Sequence, residues 1–326
     1  MKRFFPLAAS LIGLCVAPTP CANAEFGTQA HPSMFYRSAP EFTLVDGWIN
    51  SDPLRLADLR GKVVLVEFWT YSCINSLRTI PYLNRWYEQY KDRGLVVVGI
   101  HTPEFGFESK RVNVDDALKQ FKIHFPVAQD NKFATWRSYG NLAWPGFYLI
   151  DKEGKIVLIR YGEGEYDRTE NKIRELLGIK APVAPDDGPD LRGVQTPEMY
   201  FGTAHENYQS TQQRPISGAK SYDLPDMLRS NEFALSGTWL KTEEKASLVT
   251  DHGAIRLRFN AGKVHLVAGA DTPTELNVRV DGGTPHRVLV TGPRLYTLYD
   301  SADYREHTLE IEVPTRGFDA YSFTFG

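Results

Sequence analysis

The sequence predicts two domains of different class: an α/β domain over residues 25–180, then an all-β sandwich of jelly-roll type over residues 196–326. Three observations predict this. Short apolar runs alternate with helical segments up to about Lys180, the pattern of a largely parallel sheet. After about Gln195 the pattern becomes short alternating strands punctuated by Gly, Asp and Pro. Between them Lys180 to Asp190 is rich in Pro and Asp, so residues 181–195 read as a linker.

The N-terminus reads as a targeting segment. Lys2 and Arg3 form a positive start, Phe4 to Ala17 an apolar core too short for a comfortable membrane span, and Ala22-Asn23-Ala24 a small-residue cleavage site. We expect export to a periplasmic or extracellular compartment and cleavage of residues 1–24. Cys15 and Cys21 fall inside this signal peptide; Leu14 and Pro20 precede them where a lipid-attachment motif needs a small residue. The mature chain then keeps Cys73 as its one cysteine, so it is expected to hold no internal disulfide. A lone thiol in an oxidising compartment points to reactivity or intermolecular pairing. About 300 residues remain, two domains by the usual length. A net charge of −3 gives no footprint for nucleic acid, and no later apolar run is long enough to span a bilayer.

Within the first domain, Glu41 to Val45 is a candidate edge strand and Lys62 to Trp69 a continuous apolar run of central-strand type. Leu77 to Tyr90 is a helix with Leu77, Ile80, Leu83 and Tyr87 on one face, kinked by Pro81 and stopped by Gly94. Leu95 to Ile100 is the next buried strand. Val114 to Phe121 and Phe133 to Tyr139 are helices. Gly146 to Asp151 and Ile156 to Tyr161 form a hairpin across a Gly-containing turn, and Arg168 to Leu177 closes the domain. In the second domain the strands read as Ala254–Phe259, Lys263–Ala268, Glu275–Val280, His286–Val290, Thr308–Val313 and Ala320–Phe325.

The chemistry centres on Cys73, at the junction between a buried strand and a helix start. Thiolate is the reactive form of cysteine, and a helix N-terminus favours it. Two parallel strands joined by a helix end on one edge of the sheet, so His101-Thr102-Pro103-Glu104 reaches the edge that carries Cys73. His101 or Glu104 is a candidate proton shuttle, unless His101 only closes a strand end. Glu67, six residues before Cys73 inside an apolar strand, is a candidate buried carboxylate with a raised pKa and so a proton store, unless it faces outward. Trp144-Pro145 before a strand is a candidate cis bond that would hold backbone ready for an extended peptide.

The run Val66-Glu67-Phe68-Trp69-Thr70-Tyr71-Ser72-Cys73, Pro81 in the helix that follows, and Trp144-Pro145 before a strand resemble the thioredoxin superfamily in its redoxin or TlpA-like branch. Thr70 to Asn75 with Leu77-Arg78-Thr79, and His101 to Phe105, resemble more narrowly the soluble region of the DipZ family. Thr196 to Gly202, Val280-Asp281-Gly282 and Tyr321 to Gly326 resemble that family's C-terminal β-sandwich. The resemblance implies a thioredoxin fold, a nucleophilic Cys73, a cis Pro145 that aligns substrate beside Trp144, and a buried acid at Glu67. The chain departs from the family at Ser76, which stands where a resolving cysteine would follow, and is expected to act without the family's membrane electron-transfer domain. Any electron donor is then expected to be a separate molecule, a membrane electron donor among the candidates.

A C-x-x-S site can attack a disulfide, a sulfenic acid or a glutathione adduct and form a mixed disulfide. Ser76 cannot resolve that bond, because a hydroxyl does not displace a thiolate from sulfur. The expected function is therefore monothiol oxidoreductase or isomerase chemistry on protein or low-molecular-weight thiols and disulfides, with no cofactor. One alternative is a single-cysteine peroxidase, for which Thr70 and Cys73 fit but Val66 stands in place of proline. Another is a binding scaffold, with Trp239, Tyr296, Tyr299 and Phe318 as an aromatic platform for glycan or protein. The histidines lack ligand spacing for a metal.

Overall fold

The computed structural model describes residues 37–186, 188–213 and 216–326; the expected signal peptide and cleavage site, with Cys15 and Cys21, lie outside them. The first domain is built on strands β1 (Gly47–Ile49), β2 (Val63–Trp69), β3 (Leu95–His101), β4 (Val127–Gln129), β5 (Gly146–Ile150) and β6 (Ile156–Tyr161). Helices α1 (Ile74–Tyr90), α2 (Arg111–Gln120), α3 (Ala134–Tyr139) and α4 (Tyr166–Leu176) connect or follow them. The sheet order is β1-β4-β3-β2-β5-β6. All seven residues of β2 are buried, as a run apolar on both faces requires when both faces are covered.

Two expectations are corrected here. The sheet is mixed rather than largely parallel: β2–β3 and β3–β4 are parallel, while β2–β5, β5–β6 and β1–β4 are antiparallel. The connection before β5 carries only the six-residue α3. A helix that short rises about 9 Å and cannot return the chain along a full strand, so β5 enters from the opposite end. Residues 41–45 form no strand. Leu44 has φ 51°, and the Glu41 carboxylate instead accepts the N–H groups of Leu56 and Ala57 at 2.7 and 2.8 Å. The edge position falls to β1. Gly94 ends the helical stretch as expected, with φ 102°, a conformation that favours glycine.

The second domain contains β7 (Met199–Tyr200), β8 (Gly218–Tyr222), β9 (Glu232–Lys241), β10 (Ala246–Leu248), β11 (Gly253–Asn260), β12 (Lys263–Ala270), β13 (Thr274–Val280), β14 (His286–Val290), β15 (Arg294–Asp300), β16 (Glu306–Val313) and β17 (Phe318–Phe325). Every strand pairing in this domain is antiparallel. They form one path, β14-β13-β16-β11-β9-β10-β17-β12-β15, with β7 on β17 and β8 on β9. The ten-residue β9 carries the path from one layer to the other, and the ends β14 and β15 come close, so the sheet wraps nearly into a barrel. Alternate residues such as Leu235, Leu257, Leu266, Leu309 and Phe323 fill its interior.

The aromatic platform is corrected at this point. Trp239 and Phe318 are completely buried and meet edge-on at 6.4 Å, and Tyr296 is buried too, so three of the four residues belong to the core.

The domains share packing. Tyr200, Val267 and Tyr321 of the second lie in one apolar cluster with Phe105 and Phe107 of the first. The Tyr321 ring sits edge-on to Phe105 at 5.2 Å and to Phe107 at 4.9 Å. Arg78 on α1 pairs with Glu163 at 2.8 Å and donates to the Phe325 carbonyl at 3.3 Å. Tyr321→Ala is expected to destabilise this seam by about 3 kcal/mol, by analogy with buried aromatic truncations. The check is a lowered urea midpoint that also loosens residues 105–107 in hydrogen exchange. Unchanged protection there would refute a shared core.

Candidate active site

β2 and β3 are in register, with Trp69 opposite His101, so the segments that follow both strands leave the sheet at one edge. The turn Thr70–Ser72 follows β2 and ends at Cys73, the N-cap of α1. Cys73 is 2% exposed. Its sulfur lies 3.9 Å from the Trp144 carbonyl oxygen and is held in a disulfide, so it has no proton to donate to that oxygen. The expectation of a Cys73 without an internal disulfide is therefore not met by this structure; the two further cysteines of the sequence, Cys15 and Cys21, lie outside the described residues. The Trp144–Pro145 bond is cis, and Trp144 Nε1 donates to the Thr102 carbonyl at 3.0 Å. Gly146 follows because a Cβ there would fall 2.1 Å from Asn141 Oδ1. The structure thus brings Cys73, Trp144 and Pro145 together.

Beneath the turn, Glu67 is completely buried. Burial pushes its carboxyl up to about 8, against the opposing pull of a Thr79 hydrogen bond and the Arg160 charge. The Thr79 hydroxyl touches both Glu67 Oε1 and the Ser76 carbonyl, the latter at 2.6 Å. One hydroxyl has one proton to give. Both contacts are satisfied when neutral Glu67 donates to Thr79 and Thr79 donates to Ser76. Thr79 therefore links the buried acid to the first turn of α1. Ser76 is itself completely buried, and its hydroxyl has no hydrogen-bond partner among the described residues. Arg160 lies over the rings of Phe147 (4.9 Å) and Tyr166 (5.4 Å), on the strand next but one to Glu67.

The two candidate shuttles part company. His101 is completely buried, stacked on Tyr71 at 5.5 Å and edge-on to Trp69 at 5.3 Å, with Nε2 3.4 Å from Thr70 Oγ1. Burial holds its pKa down at about 3, so the ring is neutral across the physiological range. Glu104 faces the second domain and accepts the Tyr200 hydroxyl at 2.7 Å.

Sequence reasoning missed Glu108. This completely buried carboxylate accepts Ser72 Oγ (2.6 Å), Ser72 N–H (3.3 Å), Glu104 N–H (2.5 Å) and Phe105 N–H (2.9 Å). Burial raises its pKa, and these donors oppose the rise. It fastens the Cys73 turn to the 102–109 loop. Its one sequence signal is a glutamate three residues into a short helical turn, a capping position. Thr79 was also legible in principle, as a polar residue on the buried face of α1 beside Ile80 and Leu83.

A cavity of about 440 Å³ opens beside Trp144, between the domains. Glu104 and Phe105 line one side; Tyr200, Glu243 and Glu244 line the other.

The chain is similar in sequence to known proteins. Residues 36–159 match the AhpC/TSA family and residues 196–326 the family described as "Thioredoxin like C-terminal domain". Protein DipZ of Mycobacterium tuberculosis (strain CDC 1551 / Oshkosh) is 39% identical over 301 residues, 89% of this chain and 43% of that protein. The chain therefore spans less than half the length of that relative. Thiol-disulfide oxidoreductase ResA of Bacillus thuringiensis subsp. konkukian (strain 97-27) is 29% identical over 140 residues, 43% of this chain and 77% of ResA. Among solved structures, a putative Thiol:disulfide interchange protein DsbE from Chlorobium tepidum is 29% identical, covering 44% of this chain and 98% of that one with a TM-score of 0.40.

The buried acid gives a pH-dependent prediction. Glu67 has its pKa raised in the native state, from an ordinary 4.5 to about 8. Its contribution to stability is therefore complete below about pH 4.5 and is lost as pH rises toward 8, at ~1.4 kcal/mol per pH unit. Glu67→Gln removes that slope and keeps a donor toward Thr79. Urea midpoints measured from about pH 5 to 8 should fall less in the variant than in the parent. Equal slopes would mean that Glu67 is already ionised in the native state.

Proposed function

Because the chain belongs to the thioredoxin superfamily and resembles the soluble part of DipZ, we propose that it is an exported thiol–disulfide oxidoreductase whose Cys73 works as a single nucleophile. The observation that carries this reading is the placement of Cys73 at the head of α1 against the Trp144 carbonyl and cis Pro145, with Ser76 three residues on. The working domains are residues 25–180 and 196–326, joined through 181–195, after removal of residues 1–24.

Reduction of its disulfide by external thiols frees the Cys73 sulfur, and the helix N-terminus then favours the Cys73 thiolate. The thiolate attacks one sulfur of a substrate disulfide. The Cys73–substrate S–S bond forms as the substrate's own S–S bond breaks, and the second sulfur leaves with the electron pair and takes up a proton. In this reading neutral Glu67 serves as a proton store, supported by its raised pKa and by the Thr79 hydroxyl that links it to the Ser76 backbone. The backbone ahead of cis Pro145 is the surface on which an extended substrate would lie beside the sulfur, with Trp144 behind it.

Ser76 leaves the mixed disulfide standing. Two external thiols finish a reduction. The first attacks the Cys73 sulfur, releasing the remaining substrate thiolate and leaving Cys73 disulfide-bonded to that thiol. The second attacks the outer sulfur of this bond, forming the disulfide of the two external thiols and freeing the Cys73 thiolate. In isomerisation a substrate thiolate attacks the substrate sulfur of the mixed disulfide, forming a new substrate disulfide and freeing Cys73 without net reduction. The substrates are protein or low-molecular-weight thiols and disulfides, and the electron donor is a separate molecule. The match to the AhpC/TSA family does not move this reading to peroxidase chemistry, because Val66 occupies the place of the proline of single-cysteine peroxidases.

A non-reducing gel of acid-quenched protein from its own compartment tests the proposal. We expect adducts that vanish with reductant and in Cys73→Ala. Ser76→Cys should shorten adduct lifetime on the order of tenfold or more, because an intramolecular thiol acts at an effective concentration of mM or above. Clean monomer in parent and Cys73→Ala alike, with slow Cys73 alkylation near neutral pH, would sink the reading.

A further inference from the structure

We propose that the interdomain cavity selects disulfides carried on cationic segments, those with lysine or arginine beside the reacting cysteine. The inference rests on the reading of Cys73 as nucleophile and names the substrate class of that site.

The cavity adjoins the sulfur through Trp144, which lines it and whose carbonyl oxygen lies 3.9 Å from Cys73 Sγ. Its volume is within the range of clefts that hold small ligands or a few side chains. Its aromatic surfaces come from Phe105, Trp144 and Tyr200, and its carboxylates from Glu104, Glu243 and Glu244; no lysine or arginine is among the described residues that line it. The cations nearest in sequence are engaged elsewhere. Lys241 Nζ lies 2.5 Å from Glu206 and from Gln209, and Lys245 Nζ lies 2.5 Å from Asp319. The Glu243 and Glu244 side chains are exposed at the cavity mouth, and Glu244 accepts the Gly106 N–H at 3.1 Å, which bridges the domains there without neutralising its charge.

An aromatic surface with a carboxylate rim suits one kind of side chain above others. The aliphatic stem of lysine or arginine lies along the rings, its cationic head meets the glutamates, and an anionic segment is repelled. The first domain alone supplies Glu104 and Phe105 but neither rim glutamate. The β-domain thereby sets the charge of the groove in which the thioredoxin-like domain works.

The test uses the full chain, reduced and desalted, with three symmetric probes: cystamine (cationic), hydroxyethyl disulfide (neutral) and dithiodipropionate (anionic). Mass spectrometry of the Cys73 peptide reads the rate of adduct formation. At about 10 mM ionic strength, where screening extends about 30 Å, cystamine should react about tenfold faster than dithiodipropionate. The ratio should fall to roughly threefold or less in E243Q/E244Q, invert in E243K/E244K, and shrink with added salt. A ratio unchanged by both double variants, or equal rates for all three probes in the parent, overturns the charge selection and leaves the thiol chemistry standing. No adduct from any probe overturns both.

Discussion

A carboxylate without water, Glu108, is the constraint on which the site depends. A completely buried acid is costly unless its oxygens are satisfied, and Glu108 draws its donors from Ser72 on one segment and Glu104 and Phe105 on another. The two segments follow parallel neighbouring strands, so the sheet already brings them to one edge. Glu108 converts that proximity into a fixed distance. The Cys73 turn is then held from one side by Glu108 and approached from the other by the Trp144 carbonyl.

The same loop faces the second domain. Phe105 and Phe107, within the segment that Glu108 organises, meet Tyr321, and Glu104 meets Tyr200. The β-domain therefore bears on the sulfur through one intervening loop. Two carboxylates, Glu104 and buried Glu198, lie near Tyr200, and burial with the Glu104 charge drives the Glu198 pKa well up. Such a contact holds together with Glu198 neutral, which keeps like charges from opposing the interface.

Much of this was legible along the chain, for reasons that particular residues show. Glu67 stood out because a carboxylate inside Val63–Trp69 has no water to face on either side of a central strand. Pro145 stood out because an aromatic–proline pair before a strand favours a cis bond, and the bond is cis. Six of the second domain's strands announce themselves by alternation, whereas β7, β8, β9, β10 and β15 do not. Other readings failed where local pattern could not see its neighbours. For His101 the chain leaves a shuttle and a strand-end role open, and only the packing of Tyr71 and Trp69 around it shows a buried ring whose pKa is held low. Residues 41–45 look extended, yet Glu41 caps a helical turn instead of joining an edge. Trp239 and Phe318 looked like a platform and are core, because alternation gives a side chain's face but not which face is inside.

By itself the sequence determined the order of an α/β domain and an all-β domain, the strand–helix junction that carries Cys73, Ser76 three residues after it, and Glu67 inside the strand before it. Each is local: a periodicity, a spacing or a residue type at a strand end. Only the tertiary structure decided that the sheet is mixed, that Glu108 and Thr79 tie the site together, and that Glu243 and Glu244 overlook the groove beside Trp144. Those facts join residues far apart in the chain, and no local pattern records them because they arise from the register of the strands and the seating of one domain on the other.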